Sequence, residues 1–144
     1  MNPKKIVLPG LTATSLMTLF SYAVSEYKAK NFKEPQLLAG LLKDALPAKE
    51  LALLAGWATH YSMGITWASV FQFLFERTTT KPNFKNGLLL GGLSGLTAIV
   101  IWRLAFKIHP DPPRTHYKRF YAHLFLAHLV YSSAVTTISR DTRS

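Results

Sequence analysis

Two histidines lie in stretches of the chain without charge, and they are the residues best suited to chemistry. His60 is in "GWATHYSMG", within residues 51–75, which hold no Asp, Glu, Lys or Arg. His128 is in "AHLVYSS", within residues 120–139, which are equally free of these four residue types. In apolar surroundings an imidazole can ligate a metal, carry a proton or hydrogen-bond to a neighbour. The two histidines therefore define the candidate site.

Three functional interpretations of this pair stay open. The imidazoles could ligate haem b or a metal ion, with Arg103 and Arg119 as candidates to neutralise haem propionates. They could respond to pH or carry protons, or they could form the polar end of a pocket for a lipid or another small ligand. The structural alternative is a pair of neutral histidines that hydrogen-bond across helices, and it implies no cofactor.

The elements that would position the pair are four long apolar segments. They cover residues 6–25, 51–75, 87–106 and 120–139, and about 20 residues of helix cross the ~30 Å hydrocarbon core of a bilayer. The third segment reaches this length only if Arg103 and Lys107 extend toward the headgroups. The pattern predicts an all-α fold, an integral membrane four-helix bundle in which residues 1–144 form one membrane domain.

The two histidines are predicted to share a depth. His60 follows Lys49 and Glu50 by about ten residues, and His128 follows Arg119 by nine, so both lie about 13–15 Å from the same face. His123 lies only about 6 Å past Arg119 by the same rise per residue and is expected near the headgroups. Thr59, Tyr61 and Tyr131 would complete the polar layer.

A short helix is predicted between the first two segments. In "EPQLLAGLLKDALP" the apolar residues recur at helical spacing over residues 35–46, and prolines bound the stretch. It is too short and too charged to cross a membrane, which favours an amphipathic helix lying flat on the surface. The alternative is a lid that packs on the bundle.

Small residues indicate where helices pack closely. Gly87, Gly91 and Gly95 follow one another at steps of four in the third segment, and Gly64 lies one turn beyond His60. Missing side chains let another backbone approach, which stabilises helix pairs in lipid. We expect the ridge to pack within the monomer, with a homo-oligomer contact as the alternative.

The net charge of +10, from 17 Lys and Arg against 7 Asp and Glu, could also suggest nucleic acid. The basic residues instead flank the apolar segments, where they meet lipid headgroups, so we expect no nucleic-acid partner. The side that holds both termini is the more densely basic one and includes Lys4 and Lys5. This favours termini in the cytoplasm.

Three stretches, "THYSMGITWASVFQFLFER", "GLLLGGLSGLTAIVIW" and "AHLVYSSAVTTISRD", resemble the YagU-like family of small bacterial multi-pass inner-membrane proteins. The resemblance covers roughly residues 52–142 and carries over Thr59, His60 and residues 128–131. It implies an inner-membrane protein, with a link to acid tolerance in one branch of the family. The shorter N-terminal region and the loop before the last segment differ from that family.

No pattern for catalysis is visible in the sequence. It shows no Ser-His-Asp order, no phosphate-binding glycine loop and no carboxylate within the four segments. We therefore expect a structural or accessory membrane protein without enzymatic activity. It would be embedded in the lipid bilayer and would associate with other subunits or with copies of itself. The alternative function is ligand binding or pH response through His60 and His128.

Overall fold

The chain folds into five helices. A computed structural model describes residues 3–141, and within that range it contains no strand. The helices are α1 (Lys4–Lys28), α2 (Glu34–Leu42), α3 (Lys49–Arg77), α4 (Phe84–Ile108) and α5 (Tyr117–Asp141). The prediction of an all-α fold is confirmed. Each predicted apolar segment lies inside one of the four long helices.

Two of these helices, α1 and α4, are long and apolar enough to cross a membrane. By length and composition, two of the four predicted membrane segments therefore qualify as membrane-spanning helices. The other two long helices, α3 and α5, carry more polar residues, among them all three of His60, His123 and His128.

Local sequence explains where several helices begin and end. The side chain of Asn83 caps α4 by accepting a hydrogen bond from the backbone N–H of Asn86 at 2.9 Å, which satisfies one free donor of the first turn. Pro35 lies in the first turn of α2, where its missing N–H costs nothing. Ala29 ends α1 with a left-handed φ of 48°.

The four long helices pack in the order α3, α1, α5, α4. The central pair, α1 and α5, contact each other, and each also packs against one outer helix. The outer helices α3 and α4 do not pack along one another, so the predicted bundle is open on one side. A cleft between α3 and α4 follows from this order, with α1 and α5 as its floor.

The short helix α2 packs on α3 and does not lie apart from it. The carbonyl of Pro35 and the backbone of Ala39 approach Gly56 so closely that a Cβ there would clash. Gly56 lies seven residues into α3, about 10 Å below its first residue at 1.5 Å per residue. The helix ends at Leu42, earlier than predicted, and the predicted alternative of a packed lid describes it better than a flat surface helix.

The connection between α4 and α5 holds α2 in place. His109 Nε2 lies 3.0 Å from the carbonyl oxygen of Leu41, and Lys43 pairs with Asp111. The hydroxyl of Thr115 donates to the carbonyl of Asn31 at 2.7 Å. Polar contacts therefore fix α2 and the residues beside it to the connection between α4 and α5.

The long helices bury a set of polar side chains together with an aromatic and aliphatic core, and they expose many large apolar side chains. The buried polar set includes Thr14, Thr18, Ser21, His60, Gln72, Ser94, His123, His128, Ser132 and Thr136. The exposed apolar set includes Leu8, Leu16, Leu19, Leu54, Phe73, Leu89, Leu93, Leu96, Val100 and Leu104. So many large exposed apolar side chains are unusual in a protein that folds in water, since burial of apolar area drives its folding.

The glycine ridge of α4 faces α5. A Cβ at Gly87 would lie 2.6 Å from the hydroxyl oxygen of Thr136, and one at Gly95 would lie 3.2 Å from the ring of Phe125. A Cβ at Gly91 would overlap the hydroxyl oxygen of Ser132 and lie 3.1 Å from the backbone of α5. The ridge therefore lets two backbones come close within one chain.

Replacement of Gly91 by alanine should destabilise the protein. The new methyl group meets backbone atoms of α5 that cannot move without shifting the helix, and we expect a loss of about 1–3 kcal/mol. Gly92→Ala is the matched control, because its Cβ would meet only the ring of Phe125, at 3.8 Å. Thermal unfolding in detergent measures both; equal melting temperatures for the two variants would contradict this account of the ridge.

Candidate functional site

A cavity of about 220 Å³ lies between α3 and α4, over α1 and α5. Its walls are mostly apolar and include Met17, Leu38, Leu41, Met63, Trp67, Ala98, Ile101, Trp102, Ala105 and Leu124. Its polar lining comes from Thr14, Glu34, Thr59, His60, His128 and Tyr131. Met63 and Ile101 are also exposed at the protein surface, so the cavity borders the outside between α3 and α4.

His60 is held by α1. Its Nε2 lies 2.8 Å from the hydroxyl oxygen of Thr18, and this hydroxyl donates its hydrogen to the carbonyl of Thr14 at 2.6 Å. A threonine hydroxyl has one hydrogen, so here it can only accept from the imidazole. His60 therefore carries its hydrogen on Nε2 when it is neutral.

His128 is held by its own helix. Its Nδ1 lies 3.0 Å from the carbonyl oxygen of Leu124, one turn earlier in α5. A carbonyl only accepts, so the hydrogen of neutral His128 is on Nδ1. The two imidazoles line the same cavity.

The other predicted members of the layer fall into two groups. Thr59 and Tyr131 line the cavity with the histidines, and the hydroxyl of Tyr131 donates to the carbonyl of Gly64, a predicted packing residue that also lines it, at 2.5 Å. Tyr61 instead turns toward α1, where its hydroxyl lies 2.8 Å from that of Ser15. Gly64 is also in close contact with Thr14, which brings α3 and α1 together.

The cavity suits a group smaller than haem. Pockets for drug-sized ligands are typically about 300–1,000 Å³, and this one is smaller. Arg103 and Arg119 are exposed and do not line it. Within residues 3–141 no cluster of three or more His, Cys, Asp or Glu side chains is arranged for a metal ion.

A second polar cluster lies beside the cavity, and the sequence did not predict it. The hydroxyl of Ser21 donates to Glu34 Oε1 at 2.7 Å, and His123 Nε2 lies 2.8 Å from the same hydroxyl oxygen. His123 Nε2 is also 3.8 Å from Glu34 Oε1. All three side chains are buried, so α1, α2 and α5 meet at one hydrogen-bonded group.

His123 is buried inside the bundle, while its expected depth near the headgroups stays a prediction. Its ring is stacked between Phe20 and Phe32, with centroid distances of 5.3 and 5.2 Å. Counted from the start of α5 at Tyr117 instead of from Arg119, it lies about 9 Å into the helix, close to the level of Ser21. The segment before α2 then covers it with an aromatic ring.

The cluster is not arranged as a hydrolytic triad. Such a triad places the imidazole between the hydroxyl and the carboxylate, so that the imidazole takes the proton of the hydroxyl. Here the hydroxyl of Ser21 lies between His123 and Glu34, and it is fully buried. These hydrogen bonds hold α1, α2 and α5 together, and they do not expose the hydroxyl of Ser21 as a nucleophile.

The chain matches no family model, and no curated protein and no solved structure shows a significant match to it. The resemblance to the YagU-like family therefore stays a prediction from the sequence. What the site does has to be argued from its own geometry.

Glu34 is the buried carboxyl group of the cluster. Burial raises the pKa of Glu34 from 4.5 to about 7, although the hydrogen bond from Ser21 opposes the rise. Its Oε2 is buried without a hydrogen-bond partner among the described residues. The folded protein therefore holds a proton on Glu34 at pH values where the unfolded chain has released it.

This pKa predicts how stability changes with pH. Below about pH 4.5 the carboxyl is protonated in both states, and its contribution is fully present. Between pH 4.5 and about 7 the folded state binds more protons than the unfolded state, so stability falls as pH rises, by roughly 3 kcal/mol in total.

Glu34→Gln should remove that slope, because the amide does not ionise. Thermal unfolding measured from pH 4.5 to 8 should show the variant gaining stability relative to wild type as pH increases. Glu50→Gln, at an exposed position of α3, is the control and should follow the wild-type curve. A Glu34→Gln curve parallel to wild type would mean that Glu34 does not carry the proton.

Proposed function

We propose that the protein crosses the membrane four times and binds a small apolar molecule in the cavity between α3 and α4. The observation that supports a membrane location is the apolar surface of the long helices, where many leucines are exposed while a set of polar side chains is buried. Contiguous exposed apolar area of this kind is typical of surfaces that face lipid or a partner. In lipid, hydrogen bonds and small residues specify helix packing, as they do in this chain.

The polar composition of α3 and α5 is compatible with crossing. Their histidines, Gln72 and hydroxyl groups are directed into the protein, while α5 lies in the middle and exposes little surface. The two helices contain 29 and 25 residues, enough for about 30 Å of hydrocarbon at 1.5 Å per residue. The resemblance and the basic flanks support the bacterial inner membrane, with both termini in the cytoplasm.

Cysteine labelling tests the number of crossings, because the native chain contains no cysteine. Thr79→Cys and Asp44→Cys lie at exposed positions after and before α3. With four crossings, a membrane-impermeant maleimide should label them from opposite faces. If only α1 and α4 cross, both positions lie on the same face, and labelling from one face in intact cells or inverted vesicles would reject the four-span topology.

The cavity is the observation that carries the binding function. It joins apolar walls with a few polar groups at one place, which is the general character of small-ligand sites. Trp67 and Trp102 lie on its α3 and α4 walls, and the opening between Met63 and Ile101 faces the side that would meet lipid. The ligand would therefore be drawn from the bilayer.

Filling the cavity should abolish binding. Trp67 and Trp102 report on it, so in a Trp57→Phe background 1-bromododecane should quench tryptophan fluorescence with a saturable component. Ala105→Phe places a ring in the cavity and should remove that component. Leu104→Phe, on the outer face of α4, is the matched control and should retain it.

If quenching is unsaturable in wild type, or is the same in Ala105→Phe and Leu104→Phe, the cavity does not bind the probe. The proposal then reverts to the structural or accessory role predicted from the sequence, in which His60 and His128 serve helix packing.

A further inference from the structure

The hydrogen bonds of the two cavity histidines determine which of their nitrogens remain available. His60 uses Nε2–H to donate to Thr18, because the hydroxyl of Thr18 donates to a carbonyl. His128 uses Nδ1–H to donate to Leu124. In the neutral imidazoles, the remaining nitrogens are His60 Nδ1 and His128 Nε2, and both carry a lone pair.

Both remaining nitrogens are open to space. No described residue forms a hydrogen bond with either of them, and neither is among the side-chain atoms that are sealed from solvent without a partner. Both residues are otherwise buried and line the cavity, so the cavity is the space that these nitrogens reach. The site presents two hydrogen-bond acceptors to whatever occupies it.

The other polar groups that line the cavity, including Thr59 and Glu34, form no hydrogen bond with either imidazole. The hydroxyl of Thr14 donates to the carbonyl of Gly10 at 2.6 Å, and that of Tyr131 donates to the carbonyl of Gly64 at 2.5 Å. A ligand that ends in a carbonyl, ether or carboxylate would place acceptor against acceptor at the imidazoles. Unpaired polar groups of that kind cost free energy in an apolar site.

We infer that the cavity selects a neutral, lipid-soluble molecule with a hydroxyl group, an alcohol or a phenol, that donates to His60 Nδ1 or His128 Nε2. The apolar part of this molecule packs between Trp67 and Trp102. This inference rests on the proposed ligand-binding function and specifies the class of ligand. It uses neutral histidines and requires no metal.

Two matched probes test the inference in the purified full-length protein with the Trp57→Phe background. They are 11-bromo-1-undecanol and its methyl ether, which differ in the ability to donate a hydrogen bond. The alcohol should quench Trp67 and Trp102 saturably at roughly fivefold lower concentration than the ether, as expected for one net hydrogen bond. The probe concentrations are expressed relative to detergent or lipid, so that partitioning is corrected.

Removal of both acceptors should abolish the preference. A His60→Phe, His128→Phe double variant keeps a ring at each position but retains neither acceptor, and it should bind the alcohol and the ether equally. His128→Phe alone leaves the His60–Thr18 bond and His60 Nδ1 in place, and it should keep part of the preference for the alcohol. Ala105→Phe should bind neither. The comparison of the two probes on the unsubstituted histidines does not depend on whether these variants fold.

The outcomes separate the two proposals. Saturable quenching by both probes with equal affinity, lost in Ala105→Phe, would support the cavity as a binding site and overturn the selection for a hydroxyl donor. Absence of saturable quenching by either probe would overturn both. Titration with Co²⁺ that produces visible d–d absorption, lost in His128→Phe, would assign the lone pairs to a metal and overturn the inference.

Discussion

The polar stripe of α1 is the contact on which the rest of the structure depends. Thr14 meets α3 at Gly64, Thr18 holds His60, and Ser21 joins Glu34 of α2 to His123 of α5. One helix face therefore fixes three other elements. If the bundle lies in lipid as proposed, leucine burial gives little preference among helix arrangements, and this row of hydroxyl groups carries much of the specificity.

The helices and the shared position of His60 and His128 were accessible from the sequence. Apolar runs separated by prolines and charges define helix extents, because both signals act locally. Depth along a helix follows from the rise per residue, and His60 and His128 indeed line one cavity. Tyr61 does not line the cavity as predicted, because depth along a helix does not determine the direction of a side chain around its axis.

The Glu34 cluster could not be predicted in the same way. Glu34 stands between a lysine and a proline, which resembles a solvated loop. Its burial depends on how deeply α2 docks on Gly56, and this is a contact between distant parts of the chain. The one available signal was Ser21, a polar residue on the inward stripe of α1 that needed a partner.

The separation of α3 from α4 has a consequence for how the site would be filled. If the long helices cross the bilayer as proposed, the gap at Met63 and Ile101 opens sideways and not into water. Exchange would then proceed by two-dimensional diffusion in the plane of the membrane. Occupancy would follow the mole fraction of the ligand among the lipids, and a compound almost insoluble in the cytosol could still saturate the site.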